Sequence, residues 1–169
     1  MSVQPKTYFE PYEMNKPLEK AADPMLNAII EYHFHPNCWE TSIHLDTICA
    51  TDLRIFVDYF PYQLDFAKRI RNAEYLLNYG HQFTMRPAEL NKILAGYGDY
   101  MIYGFINAGL SEIVRYTIIN LDKFRNEYDP IKHRRFGNKN GMGGIAFNLW
   151  QFRKSSVTYN MNNDIVRFD

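Results

Sequence analysis

Runs of alternating and clustered apolar residues divide the chain into a helix, a hairpin and a series of further strands. Residues 1–23 hold three prolines and no sustained period, which predicts an extended arm. Asp23 followed by Pro24 reads as an N-cap with proline at the first helical position. The helix it opens is expected to run to about His35, with Leu26, Ile29, Ile30, His33 and Phe34 on one face and Pro36 as its stop. Leu53–Val57 alternates as a strand, Asp58 and Tyr59 make a turn, and Tyr62–Phe66 is the hairpin partner. Gln82–Met85 is a third strand, and Pro87 starts a short helix with Leu90, Ile93 and Leu94 inward.

The run from Asp99 to Ile106 is apolar enough for the centre of a sheet. Asn107–Gly109 turns the chain into a strand at 113–121, a glycine-rich basic loop fills 125–144, and Ile145–Trp150 can close the sheet. This order predicts an α/β class with a mixed central β-sheet flanked by helices. Residues 24–169 make one domain with a C-terminal extension, preceded by the 1–23 arm.

A chain of 169 residues with 46% hydrophobic content can bury a core without staples. Aromatics reach 16%, and most are expected to fill that core although some could stack on bases. Net charge is zero, so any nucleic-acid contact must come from local patches. No apolar run approaches the roughly 20 residues that span a bilayer, so no membrane partner is expected. With no signal segment visible at the start, Cys38 and Cys49 are read as reduced cytoplasmic packing thiols.

The chemistry concentrates on the hairpin. Asp52 stands directly before its first strand, while Gln63 and Asp65, two residues apart on the second, share a face. Asp52 and Asp65 brought together at one end would suit Mg²⁺ (or Mn²⁺), which needs only one or two carboxylates beside water and substrate phosphate. Metal-assisted phosphodiester hydrolysis requires an activated water and neutralised charge on the phosphate oxygens. Glu31 on the first helix can complete such a site, with Glu40 as the alternative. Lys68, Arg69 and Arg71 form one basic cluster near it. Lys132, Arg134, Arg135 and Lys139, with His133, form another that suits phosphate contacts. The competing reading of each group is a turn residue, a solvated strand face or a solvated loop.

Two other chemistries are set aside. His33 and His35 do not share a helix face, and no second ligand pair joins them, Cys38 and His44 at zinc spacing. Gly137, Gly141, Gly143 and Gly144 lack the lysine that follows a phosphate-binding loop.

An acidic residue before a hairpin, followed by a polar-x-charged pair on the next strand, resembles the PD-(D/E)XK nuclease superfamily. The runs FTMRPAEL, GYGDYMIYGFI, VRYTIINLDKFR and NGMGGIAFNLWQF resemble the later elements of its phage and restriction-type members, over roughly residues 25–152. The resemblance implies a restriction-endonuclease-like fold and a DNA-directed endonuclease, paired as a homodimer to cut both strands. Asp52, Asp65 and Glu31 would bind the metal, Gln63 would orient a ligand or the water, and Lys68 would stabilise the phosphate. One departure stands out: the family pattern places lysine where this chain has Asp65. Lys68 can replace it only through a bulge or helix start, because its parity on a continued strand points away. A second function class follows, a relative that kept the fold, lost the chemistry and binds a protein partner, such as an inhibitor of a host system. The aromatic arm around Tyr8, Phe9 and Tyr12 would then be its docking surface. Asp65 pairing with an arginine would favour this second class.

Overall fold

The computed structural model describes residues 10–41, 51–131, 134–136 and 144–168, with backbone only at 10–15 and 134–136. Helix α1 spans Glu10–Phe34 and carries Pro17 and Pro24 inside it. The expected helix start at Pro24 and the extended arm before it are therefore corrected over residues 10–23. The reason is a longer stripe: Ala22, Leu26 and Ile30 are buried at four-residue spacing, and half-buried Leu18 continues it one turn earlier. The packing of that stripe, on residues of high helix propensity, outweighs the hydrogen bond lost at a proline.

Strands β1 (Cys38–Glu40), β2 (Leu53–Phe56) and β3 (Gln63–Asn72) form an antiparallel meander. A helical turn α2 (Leu76–Tyr79), strand β4 (Gln82–Met85) and helix α3 (Pro87–Leu94) then lead to β5 (Tyr100–Ile106), which lies parallel to β3. After it come β6 (Ile113–Asn120), α4 (Leu121–Glu127), β7 (Arg134–Phe136), β8 (Gly144–Asn148), β9 (Ser156–Asn160) and β10 (Ile165–Val166). The described strands make a mixed seven-stranded sheet, β1-β2-β3-β5-β6-β9-β10, and a three-stranded sheet, β4-β8-β7. Residues 145–150 thus do not close the main sheet. Ile145, Ala146 and Phe147 pair with β4 in the second layer, and β9 and β10 extend the main sheet beyond β6.

The main sheet separates two cores. On one face α1 packs over Leu53, Ile55, Leu64, Phe66, Ile102 and Ile106. A Cβ on Gly104 would stand 3.1 Å from Ile70 and 3.4 Å from Leu26, so the glycine lets the helix approach. On the other face α3, α4 and the small sheet cover Ala67, Met101, Tyr103 and Phe105. Phe83, Phe124, Phe147 and Phe152 interlock there at 5.0–6.0 Å between ring centroids. Much of the aromatic excess is core.

Candidate active site

The hairpin forms as its alternation predicts: Leu64 and Phe66 are buried against α1, and Gln63 is exposed. Its register places Arg54 directly opposite Asp65. Arg54 Nε donates to Asp65 Oδ1 at 2.7 Å and Nη2 donates to Oδ2 at 2.9 Å. The two side chains are only 21% and 14% exposed. This two-pronged geometry is the strong form of a guanidinium–carboxylate contact. Asp99, just before β5, clasps the main chain of Asp65. Its Oδ2 accepts the Asp65 N–H at 2.7 Å, and its own N–H donates to the Asp65 carbonyl at 2.9 Å. Burial pushes the Asp99 carboxyl above the usual aspartate value, and the Asp65 charge adds to this, against the pull of the Asp65 amide, Arg125 and Arg54.

Asp52 is engaged differently. Its Oδ2 accepts the Lys68 backbone N–H at 2.6 Å, and its own N–H donates to Phe66 O at 2.8 Å. The β3–β5 register runs unbroken from Phe66 to Asn72, so no bulge redirects Lys68 toward the face of Asp65. Its amine instead meets the Asp23 carboxylate and, at 3.3 Å, Asn27 Oδ1 on α1. Glu31 follows Asn27 by one turn on the same stripe and is exposed. Glu40 is exposed on β1, in register with Arg54.

Asp65 and Arg54 meet, then, while the Asp52 carboxylate takes the Lys68 amide and the Lys68 amine meets Asp23 and Asn27. Among the described residues no group of three or more His, Cys, Asp or Glu side chains is placed to hold a metal ion. Two carboxylates can suffice for Mg²⁺ or Mn²⁺. Here Arg54 already sits on both oxygens of Asp65 and sets a positive charge against any ion there, so the described donors as they stand do not fit one.

The strand's basic residues are also engaged. Arg69 binds buried Glu89 of α3, with Nε at 3.0 Å and Nη2 at 2.9 Å from Oε1. Burial works against the Arg69 charge, but Glu89, helped by Asp52 and Glu19, outweighs it and holds the guanidinium charged. Glu89 Oε2 is buried without a hydrogen-bond partner. Arg71 is exposed and donates to Tyr103 Oη at 3.1 Å and Thr84 Oγ1 at 2.6 Å. Arg134 and Arg135 occupy successive positions of β7, opposite Ala146 and Ile145. Lys132, His133 and Lys139 lie outside the described residues, as do Tyr8, Phe9, His44 and Cys49.

Among the described residues His33 joins no group of possible metal ligands; its Nε2 lies 2.8 Å from Tyr116 Oη, which donates to Asn163 Oδ1 at 2.6 Å. Cys38 is exposed on β1 and does not pack as expected.

The sequence reading missed Arg54, Asp99, Asp23 and Glu89. Only Arg54 had a usable signal, because closing the hairpin with its turn at 58–61 sets it opposite Asp65. Comparison with models of known protein families and with curated proteins finds no match. No helix among the described residues is long and apolar enough to cross a membrane.

Proposed function

We propose that this chain is a non-catalytic protein on a restriction-endonuclease-like scaffold and works by binding a protein partner. The observation that carries this reading is the grip of Arg54 on both oxygens of Asp65. The resemblance needs a carboxylate and, two positions on, a lysine. In the frame of Gln63 and Asp65 both are lacking, and the acid standing in for the lysine is neutralised by Arg54. In the frame of Lys68 the lysine is present, but its partner two residues back is Phe66, fully buried in the α1 core. Each frame lacks part of what metal-assisted hydrolysis requires.

The scaffold part of the reading is supported by connectivity: a helix, a three-stranded meander, and a crossover through α3 to a parallel strand. The binding part is supported by the internal commitment of Lys68 and Arg69, which removes cations that would otherwise face a phosphate backbone. The nuclease reading keeps one observation in its favour, the closeness of Asp52 to the Lys68 backbone.

The test is incubation of the purified protein with plasmid and single-stranded DNA in Mg²⁺, Mn²⁺ or EDTA, beside an Asp52→Ala, Asp65→Ala double variant. The wild type is expected to cleave no more than the variant under any condition. Metal-dependent cleavage that disappears in the variant would establish the nuclease instead.

A further inference from the structure

The β2–β3 turn is an ordered aromatic knuckle. Val57 N donates to Tyr62 O at 3.0 Å and Tyr62 N to Tyr59 O at 2.7 Å. Tyr59 Oη donates to the Phe34 carbonyl at the end of α1 at 3.1 Å. Asn37, at the entry to β1, donates from Nδ2 to Asp58 Oδ1 at 2.5 Å. Fixed in this way, the turn holds Tyr59, Phe60 and Tyr62 in solvent, at 46%, 83% and 60% exposure, with Phe60 and Tyr62 edge to face at 6.2 Å. Trp39, two residues past Asn37 on the edge strand, is 40% exposed. Holding apolar rings rigidly in water costs free energy that a partner would recover, and exposed aromatic clusters of this kind mark interaction sites.

Charge identifies the partner. Asp58 lies in the turn and Glu31 three residues before Phe34, the α1 anchor of Tyr59, and both are exposed; Glu40 is exposed farther along β1, opposite Arg54, which Asp65 neutralises. An anionic rim repels a phosphate backbone and attracts cations, and arginine both pairs with carboxylates and stacks on aromatic faces. We infer that the Tyr59–Tyr62 knuckle docks an arginine-rich segment of a partner protein. This inference rests on the proposed binding function and names its partner chemistry.

The test titrates the full chain with a blocked hexa-arginine peptide, a hexaglutamate peptide and a single-stranded oligothymidylate. Binding is followed by heat and by the NMR signals of the aromatic rings. Hexa-arginine is expected to bind and to shift the Phe60 and Tyr62 signals. The Phe60→Ser, Tyr62→Ser variant, whose lost side chains are exposed, should bind about tenfold more weakly without a change in net charge. Glu31→Lys should also weaken binding. Failure of hexa-arginine to bind, or undiminished binding in the aromatic variant, would overturn the inference. So would oligothymidylate binding, or self-association in sedimentation, that depends on Phe60 and Tyr62. Cleavage scored on the same preparations separates the two proposals. Peptide failure without cleavage removes only the arginine partner, whereas metal-dependent cleavage removes the non-catalytic reading whatever the peptide does.

Discussion

Arg54 and Asp65 face each other across the β2–β3 ladder, and the guanidinium holds both carboxylate oxygens within 2.9 Å. Asp65 is one of the two hairpin carboxylates expected from the sequence to bind a metal ion. Taking two charges largely out of water gains little net stability when they are paired, but losing one partner leaves the other uncompensated.

Arg54→Ala should therefore destabilise the fold by about 2–4 kcal/mol in urea unfolding. The joint replacement Arg54→Met, Asp65→Leu should recover most of that loss. A single-variant loss below about 0.5 kcal/mol, typical of an exposed pair, would mean that the pair is solvated rather than a sealed contact.

Asp99 makes stability depend on pH. Its folded-state pKa is raised, first by burial and then by Asp65, so the folded protein holds the proton more tightly than the unfolded chain. The Asp99 contribution is fully present below the ordinary aspartate value of about 3.9 and is lost as pH rises through the folded value. At neutral pH its ionised form works against the fold. Asp99→Asn keeps an acceptor for the Asp65 amide, so it should be more stable than the wild type at pH 7, and the gap should close on acidification. A gap that widens toward low pH would refute this.

Helix α1 reaches β5 over Gly104. Gly104→Val would drive a branched side chain into Ile70 and Leu26, and should cost about 1–3 kcal/mol in thermal or urea unfolding. A neutral result would mean that α1 can lift from the sheet without penalty.

Glu89 is the counter-charge of Arg69. Glu89→Gln should lower stability, and adding Arg69→Met should restore part of it, because the cost is the uncompensated guanidinium. A double variant less stable than the single one would contradict this.

The elements legible in the sequence were those whose pattern was unambiguous. Leu53–Phe56 alternates, Pro87 opens a helix with Leu90 and Ile93 inward (Leu94, expected with them, is exposed), and Tyr100–Ile106 is apolar on both faces and lies at the sheet centre. Local signals misled where tertiary packing competed with them. Asp23–Pro24 has the form of a helix start, yet Asp23 binds Lys68 from within a helix held down by Ala22 and Leu26. Short polar strands such as Ser156–Asn160 have little alternation of their own and are fixed by β6, for instance through the Thr117–Thr158 hydroxyl contact at 2.8 Å. At the candidate site, Gln63 and Asp65 were correctly assigned to one face. The partner of Asp65 depended on hairpin register and on a long-range approach of Asp99, which side-chain period does not specify.

The most direct measurement is a calorimetric titration of the wild type with Mn²⁺, beside the Asp52→Ala, Asp65→Ala variant. With Arg54 on Asp65 and the Lys68 amide on Asp52, the two isotherms should coincide. Stoichiometric Mn²⁺ binding by the wild type that is lost in the variant would contradict the account, because it would mean that the ion displaces Arg54 and assembles the carboxylates around itself.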